Sequence, residues 1–123
     1  MWPNVEVAFV KILRDALGVR VATDIPDDVE RLGGFVRVTR GPGSDDGVSD
    51  APLIDLEVFH VDRVEAWNLA EQARQVMLAA SNKAGVLVDS VSTSSAPVFV
   101  FYGPHVARYV ASYRVALRRP RSA

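Results

Sequence analysis

His60 and His105 are the only histidines in the chain, and either could act as a general base or a metal ligand. His60 ends an alternating apolar stretch, and His105 sits in the turn Gly103-Pro-His. Neither has a second histidine or a carboxylate at metal-ligand spacing, so ordinary packing or solvation accounts for both. Asp45, Asp46 and Asp50 crowd into a glycine-rich stretch and invite a calcium ion. The EF-hand spacing and its closing glutamate are missing, so a solvated loop is the simpler reading. Gly41-Pro-Gly43 lacks the lysine and the strand-loop-helix setting of a phosphate cradle. Ser92, Ser94 and Ser95 lack the setting of a nucleophile elbow. Asp55 and Glu57 lie two apart, as paired glycosidase carboxylates can. Arg37 and Arg114 could stand across from them, and cross-strand ion pairing explains the carboxylates with less geometry. These residues define no catalytic centre, no cofactor site and no metal site, and no enzymatic activity is expected of them.

Composition narrows the remaining classes. The chain has 123 residues, 49% hydrophobic and 24% charged, which fits one domain over 1–123 able to bury its own core. A formal net charge of -1 argues against nucleic-acid binding driven by bulk charge. The absence of cysteine excludes disulfides, thiolate metal sites and cysteine nucleophiles. No apolar run approaches the ~20 residues of a membrane span, and the first residues lack a signal-peptide pattern, so no membrane partner is expected.

The elements that would position these residues follow from periodicity. Asn4 can cap a first helix whose Val5, Ala8, Phe9, Ile12, Leu13, Ala16 and Leu17 form one apolar stripe, stopped at Gly18. Trp2 could staple its start. Short strands are expected at 19–23, 35–40 and 53–61, with a polar connection over 24–34 and a flexible loop over 41–50. Asp62 and Glu65 make a capping-box pattern for a second helix, with Ala66, Leu69, Ala70, Ala73, Val76, Met77 and Ala80 on its apolar face. Trp67 lies beside that face as a packing residue. Asn82-Lys-Ala-Gly85 would end the helix. Two strands, 86–93 and 98–102, are expected on either side of Ser94-Ser-Ala-Pro97. A last strand buries Tyr109, Ala111, Tyr113, Val115 and Leu117 and leaves Ser112 and Arg114 wet. The expected fold is an α+β two-layer sandwich: a mostly antiparallel sheet with two helices on one face, in the order α-β-β-β-α-β-β, with a further β if the interrupted stretch is two strands.

The second sheet face would then carry Arg37, Asp55, Glu57, Ser112 and Arg114, mixed in sign and free to meet water or another subunit. The chain finishes in a basic tail over 118–123 holding Arg118, Arg119 and Arg121. Three arginines give a modest, salt-sensitive attraction to nucleic acid or to an acidic protein surface. Arg37, Asp45, Asp46, Asp50, Asp55, Glu57, Arg114, Arg118, Arg119 and Arg121 are thus the candidate subunit or partner contacts.

Several stretches together carry a family resemblance. They are Phe35-Val-Arg-Val-Thr-Arg40, the glycine and aspartate loop, Asp55-Leu-Glu-Val-Phe59, Arg63-Val-Glu-Ala-Trp-Asn-Leu-Ala-Glu71, and Val106-Ala-Arg-Tyr-Val-Ala-Ser-Tyr-Arg-Val-Ala-Leu-Arg118. Over nearly its whole length the chain resembles the tail-terminator (tail-completion) proteins of long-tailed, non-contractile bacteriophages, of the kind found in phages of actinobacteria. The resemblance implies a structural virion protein without cofactor or catalysis. Such proteins form a homo-oligomeric ring, a hexamer, that caps the tail tube, stops its polymerisation and joins the tail to the head. It implies as partners the tail tube protein and the head-tail connector or neck protein, with DNA passing close in the ring lumen. It places the protein in the virion tail at the head-proximal end, after assembly in the host cytoplasm. The loop at 41–50 would match the family's long loop between its second and third strands. Another head-closure or neck protein is the nearest alternative, and a small α+β ligand-binding domain or enzyme using a cleft near His60 and His105 is the alternative of a different class.

Overall fold

The structure, a computed structural model, describes residues 5–45, 50–80 and 88–117. Helix α1 covers Val5–Leu17 and buries Ala8, Phe9, Ile12 and Leu13. It stops at Gly18, whose φ of 68° is the left-handed conformation and whose N–H reaches the Arg14 carbonyl at 3.1 Å. Helix α2 covers Arg63–Leu78 and buries Ala66, Leu69, Ala70, Ala73 and Met77. Its alanines leave room for the backbone to lie close on the sheet. Asp62 caps it: one carboxylate oxygen accepts from the Val64 and Glu65 N–H groups at 2.8 and 3.2 Å. The reciprocal half of the expected capping box is filled differently. The Asp62 N–H donates to His60 Nδ1 at 3.0 Å, an acceptor from the last residue of the preceding strand.

Five strands form one sheet: β1 Arg20–Ala22, β2 Phe35–Asp45, β3 Asp50–His60, β4 Val88–Phe99 and β5 Ala107–Leu117, in the spatial order β1-β2-β3-β5-β4. β1 runs parallel to β2, and every other pairing is antiparallel. The architecture is therefore the expected α+β one, with element order α-β-β-β-α-β-β. Alternation sorts the two faces. Val36, Val38, Ile54, Leu56, Val58, Tyr109, Ala111, Tyr113 and Val115 join both helices in the main core.

Several expectations need correction. The stretch beginning at Gly41 is not a loop throughout: β2 continues to Asp45 and β3 begins at Asp50, with Gly41 paired to Leu53, Ser44 to Ala51 and Asp45 to Asp50 across an irregularity. Cross-strand pairing overrides the low strand propensity of the glycines. At Gly41 the missing side chain has a use, because a Cβ there would lie 2.8 Å from the Asp55 carboxylate. The stretch 88–99 is one strand of 12 residues, not two. Register shifts at Thr93/Ser95 and Ser95/Val98 absorb Ser94-Ser-Ala-Pro97 as bulges. The connection before β2 is not simply polar. It contains a 3-10 turn at Val29–Arg31 and lays Val29 against Phe35, Phe59 and Val106 in a second small core on the other face of the sheet. Phe35 and Phe59 are register partners with 0% exposure, and their rings sit 5.9 Å apart. Trp2, Asn4, Asp46, Asn82-Lys-Ala-Gly85, Arg118, Arg119 and Arg121 lie outside the described residues.

Candidate assembly surfaces

β2, β3 and β5 present Arg37, Glu57 and Arg108 side by side on the face away from the helices, because Arg37 and Glu57 are register partners and Arg108 lies opposite Phe59, next to Glu57. One Glu57 oxygen accepts from Arg37 Nη1 and the other from Arg108 Nη1, both at 2.9 Å. The carboxylate keeps only 15% of its exposure. Each guanidinium also ties down backbone. Arg37 Nε donates to the Thr23 carbonyl at 3.0 Å. Arg108 donates to the Val100 and Phe101 carbonyls, each at 3.3 Å. Further along the strands Ser112 Oγ donates to Asp55 at 2.7 Å. Both carboxylates thus act as hydrogen-bond acceptors within the sheet.

Of the residues marked out by sequence, the structure brings together Arg37 with Glu57, and Asp55 with Ser112. Arg114 stays apart: it is exposed, opposite Leu53 and Ser92. Asp45 and Asp50 pair at the far end of the β2–β3 hairpin. Arg108 was missed, although the even positions that pointed to Ser112 and Arg114 extend back through Val110 to it. Also missed was a ring cluster at the start of α2. The Arg63 guanidinium lies 3.9 Å over Phe99, and Tyr109 meets Phe99 and Trp67 edge-on at 5.7 and 5.5 Å. Trp67 is 42% exposed, so it covers the core edge rather than filling the interior. His60 serves as a cap acceptor, and His105 is exposed beside a cavity of about 290 Å³ bounded by Val61, Phe99, Phe101 and Pro104. Among the described residues no group of three or more histidines, aspartates or glutamates could hold a metal ion. No described helix is long and apolar enough to cross a membrane.

The helices leave a groove of about 470 Å³ between α1 and α2, lined by Ile12, Ala16, Gln75, Val76 and Ala79, so Ala16 faces this groove rather than the core. Lys11 and Asp15 bridge at 2.8 Å on its rim, and that bond and charge hold the Asp15 carboxyl below the usual aspartate range.

A family model described as phage tail termination protein matches residues 1–105. The chain belongs to that family, and it is a structural component of phage tails rather than an enzyme. A chain in the virion of a native gene transfer agent particle has the same fold, with a TM-score of 0.65 over 94% of this chain and 95% of that one, at 13% identity. No curated protein sequence matches it.

Proposed function

We propose that this protein caps the phage tail tube as a hexameric ring, ends tube polymerisation and forms the joint with the neck at the head-proximal end of the tail. The family match over residues 1–105 carries the reading. The surfaces support it. A ring closes through heterologous contacts, in which one surface meets a different one on the next copy. The two sheet edges here differ: β1 is a strand of three residues and β4 one of 12. Arg114 and the acids Asp45, Asp46 and Asp50 would meet neighbouring proteins. Arg37, Asp55 and Glu57 sit on the same face and would contribute mainly by keeping it flat and rigid. Arg118, Arg119 and Arg121 would approach the neck protein or the DNA in the lumen, and assembly would take place in the host cytoplasm.

The test is tail assembly in phage lacking the protein. Overlong tubes or tails unjoined to heads are expected, and purified protein should restore joining. Tails of normal length, joined normally without the protein, would refute the reading.

A further inference from the structure

We infer that the exposed apolar segment just past β4, centred on Phe101, docks into the groove between α1 and β1 of a second copy of this chain. Phe101 is 69% exposed, and Val61, which lines the same cavity together with Phe99 and Pro104, is 50% exposed. Isolated exposed apolar residues are ordinary, but a cluster of this kind marks a contact site. The segment is held rigidly. The Val100 N–H donates to the Arg108 carbonyl at 2.9 Å, and the Arg108 guanidinium, itself fixed by Glu57, donates to the Val100 and Phe101 carbonyls. Tyr102, next to it, is anchored edge-on to Phe59 at 5.0 Å. A rigid aromatic projecting from a pinned backbone loses little entropy on docking.

The opposite edge offers a fitting receptor. Val7, Val10, Val21 and Ala22 line a groove of about 370 Å³ beside β1, and Val7 is 63% exposed. Lys11 and Arg14 stand on its wall, where cations can lie over the face of an incoming aromatic ring. Such facing guanidiniums occur within the fold, over Phe99 and Tyr102. Strand addition along β4 is disfavoured by its bulges and by Pro97, so the edge is suited to contact through side chains at its end. Because knob and groove lie at opposite edges of the sheet, the contact runs head to tail.

The inference rests on the ring reading for closure, but the contact can be tested separately. The chain has no cysteine, so Val100→Cys, which keeps the Phe101 ring beside it, and Val7→Cys each introduce a single thiol. Oxidising the two variants mixed at the concentration where wild type assembles should give a cross-linked pair containing one of each. Val100→Cys alone should give little. Phe101→Asp should raise the assembly midpoint by about thirtyfold, as loss of an aromatic anchor does, with an unchanged melting temperature. Val7→Asp should do the same. Rings in electron micrographs that persist with Phe101→Asp would overturn this contact and leave the ring reading standing. A mixed cross-link in open chains without rings would support the contact and overturn the ring. Cross-linking of Val100→Cys mainly to itself, or no cross-link at all, would overturn the proposal.

Discussion

Tyr113 is the largest of the fully buried side chains, and no described residue hydrogen-bonds its hydroxyl. Burial pushes its pKa up from 10.0 to about 12. A buried polar group without a partner costs about 1–3 kcal/mol, whereas the ring around it packs the core. Tyr113→Phe should therefore raise stability by about 1 kcal/mol in denaturant unfolding, while Tyr113→Ala should lower it by about 3–5 kcal/mol. The sign of the pH dependence follows from the raised pKa. The unfolded chain gives up this proton near pH 10 and the folded chain holds it to about 12, so stability is complete below pH 10 and falls as pH rises through 12. Tyr113→Phe should lack that part of the alkaline loss. Glu57 is the opposite case, a carboxylate with every oxygen engaged. Glu57→Ala would leave Arg37 and Arg108 facing each other, and a loss of about 2–3 kcal/mol is expected, below the 3–5 of a fully buried pair because Arg37 remains a third exposed. A melting temperature equal to wild type would show that the guanidiniums find other partners.

Elements whose pattern is local were legible in the sequence. The α1 stripe needs only the 3.6-residue period, the Asp62 cap only its neighbours, and Tyr109 to Val115 only alternation. What failed depends on residues far apart in the chain. Gly41 to Asp45 forms strand because Asp50 to Leu53 lies opposite, and nothing local announces that. Pro97 sits inside β4 because β5 holds register across the bulges. The second core was hidden because Phe35 and Phe59 each stand one position out of step with the apolar runs beside them. Ile25, Val29 and Leu32, spaced through a polar connection, were the available signal for what covers them. Gly34 ties that connection to the main core. Its φ is 122°, and a Cβ would lie 3.1 Å from Val19 Cγ1 and 3.5 Å from Leu69 Cδ2. Gly34→Ala should cost about 1–3 kcal/mol from the backbone strain. Amide exchange should speed up over β1 and the 3-10 turn before it does in β5; uniform acceleration would mean that the two cores open as one unit.

At the scale of the whole molecule, the helices cover one face of the sheet and the connection over 23–34 covers only the Phe35–Phe59 end of the other. The rest of that face, from Thr39 and Asp55 to Arg114, stays open. Under the proposed function, this open face and the two unlike edges are the surfaces that meet copies and neighbours. The sheet is already closed before the tail begins, since Leu117 stands opposite both Asp50 and Val88. Deleting Arg119–Ala123 therefore takes away none of the described strand pairings, and the unfolding free energy should stay within about 0.5 kcal/mol of wild type. Under the proposed function the same deletion should reduce joining of purified tails to heads. The deficit should shrink as salt rises, because arginine contacts to phosphate or acidic protein are screened. Joining that equals wild type at low salt would make the tail a solubilising end. A truncated protein that fails to fold would mean that β5 depends on residues beyond Leu117.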